Sequence, residues 1–110
     1  MAWFYDNTDF DSGSVCEIDR IYCLLFDSFS ESDWKVLSAI CDKLPSPQPS
    51  KTVPYWFGKE ETGNYLWASV EPPGWQVAGT LHGVDWLAWE TSFHEQIQRT
   101  SLPRYEIEMQ

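Results

Sequence analysis

Positively charged side chains are scarce in this sequence. Its 110 residues include only seven Lys and Arg against 17 Asp and Glu, which gives a formal net charge of -10 at pH 7. Proteins bind nucleic acids by neutralising phosphates with clustered basic side chains, so this composition predicts no direct binding to DNA or RNA. A partner protein with a basic surface is the electrostatic match that the sequence favours instead.

Long apolar runs are also lacking. No segment approaches the roughly 20 apolar residues of a membrane-spanning helix, and the first residues lack the basic and then apolar order of a signal peptide. The sequence therefore predicts no membrane association and a cytoplasmic location. Its length and a hydrophobic content of 43% fit one folded domain over residues 1–110.

Cysteine is rare and is not arranged in metal-binding pairs. Cys16, Cys23 and Cys41 are odd in number, and none of their gaps matches the short paired spacing of a zinc site. Residues 7–13 place oxygen-bearing side chains at alternating positions, as a calcium loop does. However, Ser12 stands where an EF-hand loop requires glycine, and Ile18 where it requires glutamate. We expect no disulfide framework, no metal and no cofactor.

Catalytic motifs are missing as well. The sequence contains no glycine-rich phosphate loop, no G-x-S-x-G elbow and no H-E-x-x-H pair. Histidine is the side-chain type that ionises near neutral pH, and the two histidines, His82 and His94, belong to no recognisable motif. We therefore expect a non-enzymatic protein without catalytic residues. A pocket formed around His82, His94 or a pair of carboxylates remains an alternative.

The first half of the chain has clear helix and strand signals. The unbroken apolar run of residues 21–26 predicts a central strand covered on both faces. Ser30 and Asp33 have the spacing of a capping box, which predicts a helix over residues 31–44. The prolines of residues 45–54 predict a loop, because proline removes backbone donors.

The second half predicts three strands, a helix and a final strand. Residues 55–57, 65–70 and 75–81 are apolar or alternating runs, residues 84–100 show helical periodicity, and residues 104–109 alternate as an edge strand does. This order predicts an α+β fold, a ferredoxin-like βαββαβ antiparallel sheet with both helices on one face and room for an extra strand. The predicted core consists of Leu24, Phe26, Trp34, Leu37, Ile40, Leu44, Trp86, Trp89, Phe93 and Ile97.

Acidic and aromatic residues are the most unusual part of the composition. Eight acids lie in the first 33 residues, where Arg20 is the only base, and we expect residues 1–15 to form a flexible acidic segment. The chain also has seven tryptophans. Strand alternation places Tyr65 and Trp67 on the face opposite Leu66 and Ala68, so one of these two faces is expected to be open. The predicted partner-binding residues are Trp3, Tyr5, Asp6, Asp9, Asp11, Glu17, Asp19, Trp56 and Trp67.

Three functional hypotheses follow from these features. The first is a non-catalytic protein-binding module, such as an adaptor, assembly factor, immunity protein or inhibitor, that acts through an acidic and aromatic surface. The second is a small-ligand-binding domain or small enzyme with an aromatic pocket. The third is a structural subunit of a homodimer, in which a second copy covers an apolar face of the sheet.

Overall fold

The computed structural model describes residues 2–12 and 14–108, with the backbone alone for residues 10–12. It has an α+β fold in which an antiparallel sheet carries two helices. The strands are β1 (Phe4–Asp6), β2 (Asp9–Ser12), β3 (Val15–Tyr22), β4 (Pro47–Gln48), β5 (Tyr55–Trp56), β6 (Tyr65–Glu71) and β7 (Gly74–His82). The helices are α1 (Glu31–Lys43) and α2 (Gly83–Gln98), and two 3-10 turns cover Phe26–Ser28 and Glu60–Thr62.

The strand order differs from the ferredoxin-like pattern. The sheet runs β1-β3-β7-β6-β5-β4, and β2 pairs with the same edge of β3 as β1 does. Every strand pair among the described residues is antiparallel, including the central pair in which Ile18 lies opposite Gly79. A ferredoxin-like βαββαβ sheet is also antiparallel between neighbours, but each of its helices connects two strands that run in the same direction and have another strand between them. The predicted α+β class and antiparallel sheet are confirmed, but the strand count and strand order differ, because the β5-β6-β7 meander returns the chain directly beside β3.

The central strand β3 lies earlier in the chain than the sequence predicted. Along Val15–Tyr22, exposed or partly exposed side chains alternate with a buried set, which is Cys16, Ile18, Arg20 and Tyr22. The apolar run of residues 21–26 begins at the end of this strand and then leaves the sheet. The backbone N–H of Cys23 donates to the carbonyl of Trp3 at 2.8 Å, and Phe26 opens a 3-10 turn. Cys23 and Leu24 are therefore buried by flanking segments of the chain. The sequence had predicted that layers on both faces of a central strand bury them.

Both terminal segments add to the sheet or bridge to it. The acidic segment of residues 1–15 contains β1 and β2, which pair with the two ends of β3. Residues 104–109, predicted as an edge strand, form two isolated bridges among the described residues, Leu24 with Arg104 and Ala2 with Ile107. These bridges reach two different segments, so the described residues of the predicted strand form no continuous ladder. The last residue of that strand, Met109, lies outside the described residues.

The helices form where local signals place them. Ser30 Oγ accepts a hydrogen bond from the Asp33 N–H at 3.1 Å, and the Asp33 carboxylate accepts one from the Ser30 N–H at 2.9 Å. This reciprocal capping box begins α1 at Glu31, as predicted. Helix α2 ends at Gln98, ahead of Pro103. In the described part of the chain, neither helix has the length and apolar character needed to cross a membrane.

The hydrophobic core lies between the helices and one face of the sheet. Trp34, predicted to lie in the core, is 41% exposed instead, and Phe26 is partly buried. Trp34 occupies the first turn of α1, where its ring stacks on Phe26 with 5.1 Å between centroids instead of packing on a strand. The other predicted core residues are buried: Leu24, Leu37, Ile40, Leu44, Trp86, Trp89, Phe93 and Ile97.

Candidate functional site

One face of the sheet points away from both helices, and we call it the open face. Successive side chains of a strand point to opposite faces, so this face carries every second residue of each strand, in register across the sheet. The buried set of each strand packs against the helices, whereas the members of the open face are exposed or partly exposed. They include Tyr5, Asp9, Glu17, Asp19, Ile21, Tyr55, Tyr65, Trp67, Ser69, Gln76, Ala78 and Thr80.

Acidic and aromatic side chains flank a trough on the open face. Small residues of β7 form its floor, because Ala78 lies between Asp19 of β3 and Trp67 of β6. One row further along the strands, Thr80 lies between Glu17 and Tyr65. The trough has a volume of about 370 Å³, and its charged lining residues are all acids, namely Asp9, Glu17 and Asp19. Carboxylates on one side and π faces on the other are the two kinds of group that attract a cation.

Hydrogen bonds orient the carboxylate of Asp19 on this face. Its Oδ1 accepts a hydrogen bond from Nε2 of Gln76 at 3.3 Å, and its backbone N–H donates to Oγ1 of Thr8 at 3.1 Å. Thr8 lies between β1 and β2, where the backbone pairing with β3 is interrupted. The Thr8 hydroxyl therefore replaces a missing strand partner and fixes the backbone beneath the acid.

The structure separates the tryptophans that the sequence grouped as partner-binding. Trp67 is partly exposed on the open face, and Tyr5, 42% exposed, lies on the same face at the β1 edge. Trp56 is fully buried, and its Nε1 donates to the Cys41 carbonyl at 3.1 Å, which corrects its assignment to the binding surface. Trp3 packs its ring 4.7 Å from the ring of Tyr22, between centroids, and is partly buried against the core.

The predicted acidic residues also divide between the two faces. Asp9, Glu17 and Asp19 line the trough of the open face. Asp6 points to the helix side, where it forms an ion pair with Arg20. The side chain of Asp11 lies outside the described residues.

Arg20 is the centre of a buried polar cluster that the sequence analysis did not predict. The residue is 3% exposed, and its Nη2 lies 2.8 Å from Oδ2 of Asp6. Its Nη1 donates to the carboxylate of Glu90 on α2 and to the hydroxyl of Tyr22 at 3.1 Å. Its guanidinium carbon lies 4.2 Å from the centroid of the Phe4 ring and 4.9 Å from that of the Trp86 ring. Strand alternation alone carries the signal for this burial, since Arg20 follows Cys16 and Ile18 at every second position.

The cluster shifts the acid–base properties of its members. Burial alone would raise the pKa of Asp6, but hydrogen bonds from Arg20 and Thr8, together with the charge of Arg20, lower it below its ordinary value. Burial raises the pKa of Tyr22 well above its ordinary value, against the opposing effect of Arg20. At neutral pH Asp6 is therefore a carboxylate and Tyr22 a neutral phenol beside the guanidinium cation of Arg20.

The two histidines lie in separate places. Nε2 of His94 lies 2.8 Å from the Tyr22 hydroxyl, and burial lowers the pKa of His94 against the opposing charge of Glu90. His82 is exposed and precedes α2, so about 18 Å of helix separates the two positions. They do not form one site, and the phenol beside His94 is held in its neutral form.

Metal ligation and thiol chemistry have no prepared site in the described residues. No group of three His, Cys, Asp or Glu side chains there could hold a metal ion. Cys16, Cys23 and Cys41 are free thiols, and burial raises the pKa of Cys41 to about 12, with the charge of Asp42 adding to the effect. Of the predicted partner-binding residues, Asp9, Glu17, Asp19 and Trp67 instead lie together on the open face.

Comparisons with models of known protein families, with curated protein sequences and with solved structures find no match to this chain.

Proposed function

We propose that this protein is a non-catalytic binding module that engages a basic surface of another protein through its open face. The observation that carries this proposal is the trough on that face, which has Glu17 and Asp19 along one side and Tyr65 and Trp67 along the other. The core and the helices lie on the opposite face, so these side chains serve no packing need in the interior.

Each component of the trough has a part in the proposed interaction. The carboxylates attract a basic partner over long range and speed its association, an effect that salt screens. The aromatic rings supply contact area at low entropic cost, and Trp and Tyr are enriched among the residues that dominate binding energy. Arginine is the cation that best uses both, because its planar guanidinium pairs with carboxylates and stacks on rings.

The interior of the same molecule contains a precedent for this recognition. Arg20 is held between the carboxylates of Asp6 and Glu90 and stacks on the ring of Phe4. The open face offers the same two kinds of group, the carboxylates of Glu17 and Asp19 and the rings of Tyr65 and Trp67. A lysine or arginine of a partner would complete it.

We also propose a reducing compartment such as the cytoplasm as the place of this function. All three cysteines are free thiols, and Cys16 and Cys23 are buried in the core. Cytoplasmic proteins keep cysteines in this reduced form.

Affinity capture with matched variants tests the proposal. Tagged wild-type protein and the variant Glu17→Gln/Asp19→Asn are exposed to host lysate at about 0.1 M and about 0.5 M salt, between which the screening length falls about twofold. The control variant Glu31→Gln/Glu95→Gln removes two exposed charges from the helices and changes the net charge equally. We expect a stoichiometric basic protein that wild type and control retain at low salt and that the open-face variant loses.

The same experiment has outcomes that contradict the proposal. Equal capture by both variants would show that total negative charge, and not the open face, attracts the partner. A second copy of this chain as the retained protein would favour the homodimer hypothesis, which the mass of the purified protein in solution then decides.

A further inference from the structure

The edge of the sheet at β6 ends in an unpaired stretch. Strand β5 pairs with Leu66 and Trp67 of β6, and the backbone N–H of Ala68 donates to the Pro54 carbonyl at 3.2 Å. Beyond this point no strand within the described residues pairs with this edge of β6. Val70, two residues further on, is 52% exposed.

The direction of the Ala68 hydrogen bond shows where the backbone of Val70 points. In an antiparallel ladder, the N–H and C=O groups of successive residues point alternately to the two neighbouring strands. Ala68 donates toward β5, so the N–H and C=O of Val70 point to the same edge, where β5 has already ended. Exposed groups of this kind are a template for an added strand.

Two grooves with partly apolar walls flank this open edge, and Val70 lines both of them. The first, of about 370 Å³, lies between α1 and the residues before β5, and its apolar lining includes Trp34, Leu37, Val53, Pro54 and Trp75. The second, of about 470 Å³, lies on the other side of Val70, and its lining includes Leu24, Leu25, Phe26, Pro72 and Tyr105.

Exposed aromatic and aliphatic side chains separate or border the grooves. Trp34 of the first groove stacks on Phe26 of the second with an interplanar angle of 7°. Trp34 is 41% exposed and Leu25 is 39% exposed. Large apolar side chains left in contact with water around an unpaired strand edge are typical of a peptide-binding site.

The charges around the grooves define the kind of peptide that fits. Asp42 is the charged residue that lines the first groove, and Asp27 and Glu71 are those that line the second. Neither lining contains Lys or Arg. The site therefore favours basic residues in the occupant and disfavours a second copy of this chain, whose corresponding edge would bring the same acids against it.

We propose that the β6 edge at Val70 binds an extended segment of another protein that alternates apolar and basic residues. The segment adds a strand beside β6, exchanges backbone hydrogen bonds with Val70 and places apolar side chains in the two grooves. Its alternate, basic side chains point to the opposite face of the sheet, on the side of Glu71, and the segment brings no acidic side chain against Asp27 or Asp42 in the grooves. This site is separate from the trough of the open face, and it does not depend on the function proposed for that face.

A designed peptide tests strand addition directly. The probe is a capped seven-residue peptide that alternates Lys and Leu, and it is titrated into ¹⁵N-labelled protein. We expect amide shifts centred on Val70 and slower hydrogen exchange of the Val70 amide. The same peptide with N-methylated leucines cannot donate the backbone hydrogen bonds and is expected to bind at least about tenfold more weakly. A peptide that alternates Glu and Leu is expected not to bind.

A proline substitution at the β6 edge is a second test of strand addition. Val70→Pro removes an N–H that points away from β7, and edge positions of this kind tolerate proline. We expect Val70→Pro to lose peptide binding, whereas Val70→Thr retains it. If Val70→Pro fails to fold, the N-methylated peptide still decides between the alternatives.

Three results would overturn this inference: equal binding of the N-methylated peptide, retained binding by folded Val70→Pro, or amide shifts centred elsewhere. Titration of the Lys and Leu peptide into the open-face variant Glu17→Gln/Asp19→Asn tests whether the β6 edge and the open face are separate sites. We expect that variant to bind the Lys and Leu peptide as wild type does, whatever the outcome for the open face.

Discussion

Nη2 of Arg20 lies 2.8 Å from Oδ2 of Asp6 inside the fold, although both residues belong to the most acidic part of the sequence. The pair joins β1 to β3, and the contact of Arg20 with Glu90 extends it to α2. The base that interrupts the N-terminal acids is thereby enclosed on the helix side of the sheet. Glu17 and Asp19, which precede Arg20 in the same strand, point to the opposite face of the sheet and have no contact with its guanidinium.

Removal of this guanidinium should destabilise the protein strongly. Arg20→Gln leaves the carboxylates of Asp6 and Glu90 partly buried without their cation, and loss of one partner of a buried ion pair typically costs about 3–5 kcal/mol. Urea unfolding measures this change. The exposed residue Arg99 provides the control, and Arg99→Gln should change the free energy of unfolding by less than about 0.5 kcal/mol. Equal stabilities for the two variants would show that the cluster does not hold β1 to the fold.

The Asp6 carboxylate should make stability depend on acid pH. Its pKa in the folded protein lies below the ordinary value of 3.8, so its stabilising effect is fully present above that value. The effect is lost as the pH falls through the lowered pKa. We expect the stability difference between wild type and Asp6→Asn to shrink when the pH is reduced from about 6 to about 2. A difference that stays constant over this range, in urea titrations at several pH values, would contradict the ion pair.

His94 should contribute a second pH dependence in a higher range. Its pKa in the folded protein lies below the ordinary value of 6.5, because burial disfavours the imidazolium form. The folded state is therefore favoured fully above that value and loses this contribution as the pH falls through the lowered pKa. We expect wild type to lose more stability than His94→Gln between about pH 7 and about pH 5. Thermal unfolding measures the loss, and His82→Gln, at an exposed histidine, should retain the wild-type profile.

Two tryptophans on neighbouring strands should respond differently to truncation. Trp56 is fully buried and donates a hydrogen bond to Cys41, so Trp56→Ala should cost about 3–5 kcal/mol. Trp67 is partly exposed on the open face, so Trp67→Ala should cost less and reduce partner capture instead. Urea unfolding of the two variants checks the order of the stabilities. A larger loss for Trp67→Ala would place that ring in the core.

Local elements of this fold were predictable from the sequence because their causes are local. The hydrogen bonds between Ser30 and Asp33 that begin α1 join residues only three positions apart. Strand β3 was misplaced because the apolar run of residues 21–26 reflects burial by flanking segments, which the strand pattern does not distinguish from burial within a sheet. The antiparallel pairing of β3 with β7 joins residues about sixty positions apart and has no local signature.

The candidate site was predictable in part for the same reason. Alternation along β6 correctly separates Trp67 from Leu66, but it does not show which of the two faces the helices cover. Residue type alone does not show which of Trp56 and Trp67 lies on a binding surface. Packing against α1 buries Trp56, whose Nε1 donates to the Cys41 carbonyl. Alternation along β3 places Arg20 on the buried face with Cys16 and Ile18, but its partner Glu90 lies seventy positions away and has no local signature.

The binding of a basic partner to the open face can be mapped by titrating the captured protein into ¹⁵N-labelled protein and following the amide resonances. We expect perturbations concentrated at Glu17, Asp19, Trp67 and the intervening residues of β7, and we expect them to weaken as salt rises. Perturbations concentrated on the outer surfaces of α1 and α2, with the open face unchanged, would contradict it.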